Sequence, residues 1–256
     1  MDKSNTMSKF NYKKISEDLL RDLPERTQAI ISRRFGFGTG NKETLEAVGK
    51  DYEITRERVR QIENFGMGKA RENAETISQN VFQDFTRQIN AFGGFKREDS
   101  LLQELGGSNS KPYVLFLLNI DHQFKRFPES DDFFPAWAME ANPVRQARKT
   151  AMSFIKELEK RNKPFVFEDS KIYKANRANS KILFSSIELS KHILRNSEGL
   201  CGFATWPEIN PRGIKDKAFL VLKKEQKPMH FTDVADFIQA KEEIKKPYLF
   251  KTVHNE

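Results

Sequence analysis

The sequence predicts a mainly α-helical protein built from small modules that also contain short β hairpins. Apolar residues recur at the spacing of a helix face over much of the chain, as at Val144, Ala147, Ala151, Phe154, Ile155 and Leu158. Two strong chain breakers, Gly93-Gly94 and Asn142-Pro143, separate helical segments. Phenylalanines lie on both sides of the polar stretch 128–132, which is typical of a strand-turn-strand. We therefore expect tandem helical units that carry small hairpins.

The composition excludes several classes of protein. The 256 residues include 44 Lys and Arg against 36 Asp and Glu, and the net charge of +8 suits a polyanionic partner. The single cysteine, Cys201, excludes an internal disulfide, and the four histidines are not spaced with it as metal ligands. The longest apolar stretch, 113–118, is too short to span a bilayer, and no secretory signal is present. We expect a soluble, cytoplasmic protein with no metal, cofactor, membrane or small-molecule substrate.

The N-terminal part predicts two helices. Residues 1–15 are polar and are expected to form a mobile lead-in. One amphipathic helix begins near Ser16, and Pro24 begins the next helix at a position where proline is tolerated. The apolar stripe of this second helix consists of Ile30, Ile31 and Phe35, which are expected to be buried. The glycine-rich stretch 36–40 is predicted to be a connector, because it lacks the Gly-Lys-Ser/Thr ending of a phosphate-binding loop.

The stretch Thr44–Asn73 predicts a helix-turn-helix. Its apolar residues fall where two helices around a tight turn need them, at Leu45, Val48, Gly49, Tyr52, Ile54, Val59 and Ile62. Gly49 lets one helix lie close across the other, and Ile54 fills the turn. Thr55 stands at the N-cap position of the second helix, which therefore begins with free backbone N–H groups and a positive dipole end.

The opposite face of the second helix carries polar side chains that suit the edges of bases. Arg pairs with guanine, Glu accepts from the amino group of cytosine, and Gln pairs with adenine. We predict that this face reads double-stranded DNA through Arg56, Glu57, Arg60 and Gln61. We expect contacts to the DNA backbone from Arg34, Thr44 and Arg58, because Thr44 begins the supporting helix and a helix N-terminus suits a phosphate.

Three strings in this part of the chain resemble region four of the primary bacterial sigma factors, over roughly residues 22–73. They are Arg33–Gly36, Thr44–Lys50 and Ile54–Glu63. The resemblance implies that the module binds the minus-thirty-five promoter element and docks on the flap of RNA polymerase. It also implies that Ile30, Ile31 and Phe35 contact the polymerase.

The sequence departs from the sigma pattern in two ways. Gly66 and Gly68 stand where good helix formers are usual, and each costs about 1 kcal/mol of helix propensity. No segment resembles the part of sigma factors that melts the minus-ten region, so complete sigma activity is not expected of this chain.

The domain organisation follows from the breakers and the repeated pattern. The sigma-like module with a trailing helix is predicted at 16–92, a winged-helix-like unit at 95–140 and a helical or winged-helix-like unit at 143–206. The last unit, 207–256, resembles the HARE-HTH winged helix through Asp216–Ala218 and Pro228–Asp233. Because the sequence ends where its third helix would begin, we expect this last domain to be incomplete.

Two interpretations of the function stay open besides the main one. The main hypothesis is a sequence-specific transcription-initiation factor of the bacterial nucleoid, bound to promoter DNA and to core RNA polymerase. An adaptor would bind polymerase without reading DNA. A nuclease would use the stretch Glu168–Lys171, which has a carboxylate shortly before a lysine but no convincing second acid. No nucleophile elbow or paired-carboxylate motif occurs, so we do not expect an enzyme.

Overall fold

The computed structural model describes residues 10–77, 79–175 and 177–240. Over these residues the fold is mainly helical with small antiparallel sheets of three strands, which confirms the predicted fold class. The expected lead-in and the expected last domain lie partly outside the described residues. Two compact units are formed, one by 10–126 with 137–140 and the other by 127–136 with 141–240. None of the described helices is long and apolar enough to cross a membrane.

The first unit begins with a run of helices and continues into a small sheet. The helices of the run are α1 (Tyr12–Leu20), α2 (Glu25–Phe35), α3 (Leu45–Asp51), α4 (Arg56–Ile77) and α5 (Gln79–Ala91). The elements that follow are β1 (Phe95–Arg97), α6 (Glu98–Gly106), α7 (Lys111–Ile120), β2 (Lys125–Phe127) and β3 (Ala136–Ala138). The sheet has the strand order β1-β3-β2.

One hydrophobic core holds the first unit together. Leu19 of α1, Ile31 of α2, Phe85 of α5 and Phe116 of α7 are all fully buried in it. Residues 95–126 thus share a core with the helix-turn-helix, and the boundary expected at Gly93-Gly94 lies inside this unit. The core also holds the first residue of α1, because Tyr12 is buried in it. This burial raises the pKa of Tyr12 to about 12.

The helix α4 is longer than the short helix predicted, and it runs through both glycines that the sequence marked as unfavourable. Gly66 lies where α4 crosses α2. A Cβ atom there would come within 2.5 Å of Ile31 Cδ1 and 2.7 Å of Thr27 Cγ2, so a larger residue would have to displace these two side chains. At Gly68 a Cβ atom would meet nothing within 4 Å. The packing of α2 against α4 therefore offsets the low helix propensity of Gly66 but not that of Gly68.

The second unit also combines helices with a three-stranded sheet. Its elements are α8 (Ala141–Arg161), β4 (Phe165–Val166), α9 (Lys171–Ala175), α10 (Ser180–Glu188), β5 (Ile193–Arg195), β6 (Leu200–Phe203), α11 (Ile214–Glu225) and α12 (Phe231–Ala240). The strand order is β4-β6-β5, with Phe165 opposite Cys201 and Leu194 opposite Gly202. Phe154, Leu158 and Phe167 are fully buried in its core.

The same order of elements occurs twice along the chain. The elements α5-β1-α6-α7-β2-β3 and α8-β4-α9-α10-β5-β6 both run helix, strand, helix, helix, strand, strand. In both sheets the first strand pairs with the third, and the third pairs with the second. The third helix of each set, α7 or α10, buries most of its residues in its own unit. Neither of these two helices therefore presents a free face for reading DNA.

Candidate nucleic-acid interface

The predicted helix-turn-helix is formed by α3, α4 and the turn between them. Ile30, Val48 and Val59 are fully buried and form a small core under the motif. The partly buried side chains around it are Leu45, Tyr52, Ile54 and Ile62. These residues include all the apolar side chains that the sequence predicted for this core. The arrangement fixes which side of α4 faces outward.

The turn is closed by backbone contacts that require a glycine on α3. The Ile54 N–H donates to the carbonyl of Gly49 at 2.9 Å. A Cβ atom at Gly49 would lie 2.7 Å from the Ile54 carbonyl oxygen, so any side chain would force the turn open. Within the turn, Glu53 adopts a left-handed conformation with φ of 54°. The tight turn between the two helices therefore depends on Gly49, as the sequence predicted.

Both helices of the motif have the N-caps that the sequence predicted. Thr44 Oγ1 accepts from the Ala47 N–H at 3.1 Å, and Thr55 Oγ1 accepts from the Arg58 N–H at 3.2 Å. The cap at Thr55 fixes where α4 begins. Arg56 and Glu57 therefore occupy its first turn, next to the positive end of the helix dipole.

The predicted base-reading side chains lie together on the outward face of α4. Arg56, Glu57, Arg60 and Gln61 are all exposed. They are held by neighbouring side chains. Arg60 donates to both carboxylate oxygens of Glu57 at 2.9 and 2.6 Å, Arg56 pairs with Glu46 of α3 at 3.1 Å, and Arg58 donates to Gln61 Oε1 at 3.0 Å. Since solvent screens exposed ion pairs, these partners can be exchanged for DNA at small cost.

The carboxylates of this face are kept ionised by their partners. The hydrogen bond from Arg60 lowers the pKa of Glu57. The pKa of Glu46 is lowered by a hydrogen bond from the backbone N–H of Glu46 itself and by a hydrogen bond from Arg56. Glu57 is therefore an acceptor at neutral pH. A carboxylate on a DNA-facing surface repels phosphate but can accept from the amino group of cytosine.

The three predicted backbone contacts differ in how accessible they are. Thr44 and Arg58 are exposed. Arg34 is only partly exposed, because its Nε donates to Glu63 of α4 at 2.9 Å and its Nη1 donates to the Glu43 carbonyl. Arg34 thus joins α2 to α4, and a phosphate contact from it would be additional to this structural role.

The side chains that the resemblance assigned to a polymerase contact are buried within the chain. Ile30 and Ile31 have no exposed surface, and Phe35 is 9% exposed. Ile30 packs under the helix-turn-helix, while Ile31 and Phe35 belong to the main core of the first unit. The apolar stripe of α2 faces inward because α4 and α7 cover it. A partner that binds this module must use other side chains.

Sequence reasoning missed Phe65, which is 55% exposed on α4. The spacing carried the signal, since Phe65 follows Gln61 by four residues and therefore lies on the outward line of the helix. An aromatic edge at this place can contact the methyl group of thymine or a protein surface.

The stretch proposed for a nuclease has structural roles in the second unit. Asp169 pairs with Lys174 at 3.6 Å, and its carbonyl accepts from Arg161 at 2.8 Å. Among the described residues, no group of three or more His, Cys, Asp or Glu side chains could hold a metal ion. Cys201 is buried, and burial raises the pKa of its thiol to about 12.

Comparisons with known proteins agree with the geometry of the first unit. The family described as Sigma-70, region 4 matches residues 19–72. A segment of 55 residues is 47% identical to the RNA polymerase sigma factor SigA of a Bacillus species. That alignment covers 22% of this chain and only 15% of the relative. Residues 19–72 are therefore similar to region 4 of the sigma-70 family, and the chain spans about 15% of the length of the relative that it matches.

Proposed function

We propose that the chain is a sequence-specific transcription-initiation factor that recognises a promoter element of the minus-thirty-five type and contacts RNA polymerase. The observation that carries the proposal is the outward face of α4. Arg56, Glu57, Arg60 and Gln61 are exposed on it, while Val59 on the opposite side is fully buried. A helix supported in this way can enter the major groove, where each base pair presents a distinct pattern of donors and acceptors.

Recognition requires the side chains of α4 to exchange partners. Arg60 leaves Glu57 and Arg56 leaves Glu46, so that both guanidinium groups can reach guanine or phosphate. Glu57 then accepts from cytosine, and Gln61 pairs with adenine after releasing Arg58. The released Arg58 is free to contact a phosphate. In the unbound protein these same pairs hold the long side chains in place on α4.

The backbone contacts are proposed to surround this helix. Thr44 and Arg58 are exposed at the N-terminal ends of α3 and α4, where backbone N–H groups favour phosphate. Arg34 is proposed to add a phosphate contact next to its ion pair with Glu63. Replacing Arg34 with Ala is expected to weaken binding to all sequences alike, with a loss of thermal stability. The matched variant Glu63→Ala removes the ion pair but keeps the cation of Arg34. It therefore separates the phosphate contact of Arg34 from its structural role.

Selection of bound sites from random duplex DNA, with and without core RNA polymerase, tests the base-reading proposal. We expect one preferred motif for the natural chain and a relaxed motif for the double variant Glu57→Ala/Gln61→Ala. Each lost base contact should relax the motif by about 1–3 kcal/mol at its base pair. Lys13→Ala/Lys14→Ala, on an exposed part of α1, is the control and should keep the motif. An identical motif from natural chain and double variant would refute base reading by α4.

The remaining parts of the chain are proposed to be winged-helix-type units at 95–140 and 143–206 and a HARE-HTH-like domain at 207–256. The repeated order of elements and the two equivalent sheets support the first two assignments. We propose that the sigma-like module contacts the flap region of RNA polymerase. The remaining units are proposed to add DNA or polymerase contacts, and the factor is proposed to associate with the nucleoid.

The exposed aromatic ring of Phe65 favours a second candidate, a polymerase-binding adaptor that does not read DNA. Promoter binding, measured alongside co-purification with core polymerase, separates the two candidates. The adaptor predicts that capture survives Arg56→Ala/Arg60→Ala/Gln61→Ala but is lost in Phe65→Ser. The initiation factor predicts that promoter binding is lost in the triple variant.

A further inference from the structure

The second unit has a groove of about 630 Å³ along α8 that the proposed function does not use. One side is formed by α8 and the other by the segment between β2 and β3. Apolar side chains form part of the lining, at Phe127, Phe133, Ala141, Val144 and Met152. The charged side chains of the lining are all cations, at Arg145, Arg148, Lys149 and Lys156. Among the residues that the structure describes, no acidic side chain lines the groove.

The cations follow one edge of the helix. Arg145, Lys149 and Lys156 are exposed, and they extend over about 16 Å of α8 at 1.5 Å per residue. None of the three forms an ion pair within the described part of the chain. Glu157 does not neutralise them, because it accepts from Arg161 at 2.6 Å and from the Lys171 N–H at 3.0 Å.

On the side of the groove opposite α8, hydrogen bonds hold Phe133 in place. The Phe133 N–H donates to Ser130 Oγ at 3.2 Å, and the Phe133 carbonyl accepts from the Ser130 N–H at 3.0 Å. Phe133 also forms an antiparallel bridge with Ser190. The guanidinium of Arg148 lies 5.1 Å from the centre of the Phe133 ring. Its Nε is buried without a hydrogen-bond partner among the described residues.

We propose that this groove seats the sugar-phosphate backbone of duplex DNA, independently of sequence. The single sign of charge along the α8 edge matches the charge of a DNA strand, which carries one phosphate per 3.4 Å of duplex axis. The exposed side chain of Met152 and the partly exposed ring of Phe127 offer apolar contacts for deoxyribose. The described lining of the groove contains no amide or carboxylate side chain that could distinguish one base from another, so its contribution is the same for all sequences.

The test is the salt dependence of binding of the full chain to a duplex of random sequence. The slope of log K against log salt is negative, and the variant Arg145→Gln/Lys149→Gln/Lys156→Gln should reduce its magnitude. We expect a reduction of about 0.9 per lost phosphate contact, and hence of about two to three in total. The control, Lys13→Gln/Lys14→Gln/Lys174→Gln, removes the same charge from exposed lysines outside the groove. Equal slopes for the two triple variants would overturn the proposal.

A second pair of variants tests the apolar part of the groove lining at Met152. This side chain is 41% exposed and can be changed without disturbing the core. Met152→Glu places a carboxylate among the cations and should weaken binding to every duplex, whereas Met152→Gln should bind almost as the natural chain does. If Met152→Glu keeps its DNA affinity and instead loses core polymerase in co-purification, the groove belongs to a protein partner and the proposal is wrong. The result is independent of base reading by α4, because the groove variants change affinity and leave the preferred motif unchanged.

Discussion

The helices α4 and α8 both present basic side chains to solvent, but they do so in different ways. On α4, cations alternate with an acid and an amide, and Arg60 is paired with Glu57. Along the groove edge of α8, the charges have one sign and no partner among the described residues. A mixed face can discriminate, because a carboxylate repels DNA unless a base donates to it, whereas a face of one sign attracts any polyanion.

The two helices are also anchored differently. The inward side of α4 includes three small residues, Gly66, Ala70 and Ala74, which are buried beside the larger Met67. The C-terminal half of the inward side of α8 carries larger residues, with Phe154 and Leu158 fully buried. Small residues fix the position of α4 by close approach. Large residues hold α8 through buried apolar area.

The largest expected effect comes from removing a large side chain on the buried side of α8. Phe154→Ala leaves a cavity beside Phe165 and Phe167, whose ring centres lie 5.5 and 5.7 Å away, and should destabilise the second unit by about 3–5 kcal/mol. Cys201 is the single thiol of the chain and is buried in the same core, so its rate of alkylation reports opening of the unit. We expect that rate to rise roughly a hundredfold or more. Met152→Ala, on the exposed side of α8, should leave the rate nearly unchanged.

The buried side of α4 should be destabilised by the addition of atoms, whereas that of α8 is destabilised by their removal. Gly66→Ala forces the new methyl against Ile31 and Thr27 and should destabilise the first unit by about 1–3 kcal/mol. Gly68→Ala meets no neighbour and should stabilise α4 by up to about 1 kcal/mol. Hydrogen exchange of the α4 amides measures both changes. Equal protection in the two variants would contradict the close crossing.

The sequence predicted the motif well because its signals are local. Helical spacing identified Val48, Val59 and Ile62 as core, and the polar residues Thr44 and Thr55 identified the two N-caps. These patterns need only neighbouring residues along the chain. The same reasoning placed Ile30, Ile31 and Phe35 on one stripe but could not tell which surface covers that stripe.

Features that depend on distant residues were harder to predict. Strand β1 has three residues, all buried, and it pairs with a strand some forty residues later, so no alternation marks it. Gly66 looked unfavourable because helix propensity was visible and the crossing with α2 was not. The groove along α8 joins that helix to a segment before it, and only the folded chain brings the two together.

A reading face on α4 with charges of one sign, like the groove edge of α8, should discriminate less well between DNA sequences. Glu57→Lys removes the one carboxylate of the reading set and adds a cation. We expect discrimination at one base pair to fall by about 1–3 kcal/mol and the salt slope to steepen by about 0.9. Competition between specific and random duplexes over a range of salt measures both. The isosteric variant Glu57→Gln should lose discrimination with a smaller change of slope.

The smallest effect concerns the ionisation of Glu57. Since the hydrogen bond from Arg60 lowers its pKa, the pair contributes above the ordinary carboxylate pKa and is lost as pH falls through the lowered value. Arg60→Gln should therefore raise the pKa of Glu57 toward its usual range, as followed by NMR titration. Because the pair is fully exposed, global stability should change little. An unchanged pKa would mean that Arg60 and Glu57 are not paired in solution.

The most direct test of the account is the ratio of affinities for a selected duplex and a scrambled duplex of the same composition. In Glu57→Ala/Gln61→Ala the account predicts that this ratio falls toward one, while affinity for the scrambled duplex is kept or rises because a repelling carboxylate is gone. In the α8 variant Arg145→Gln/Lys149→Gln/Lys156→Gln both affinities should fall together and the ratio should stay constant. A ratio that survives the α4 changes, or that collapses with the α8 changes, would contradict the assignment of base reading to α4.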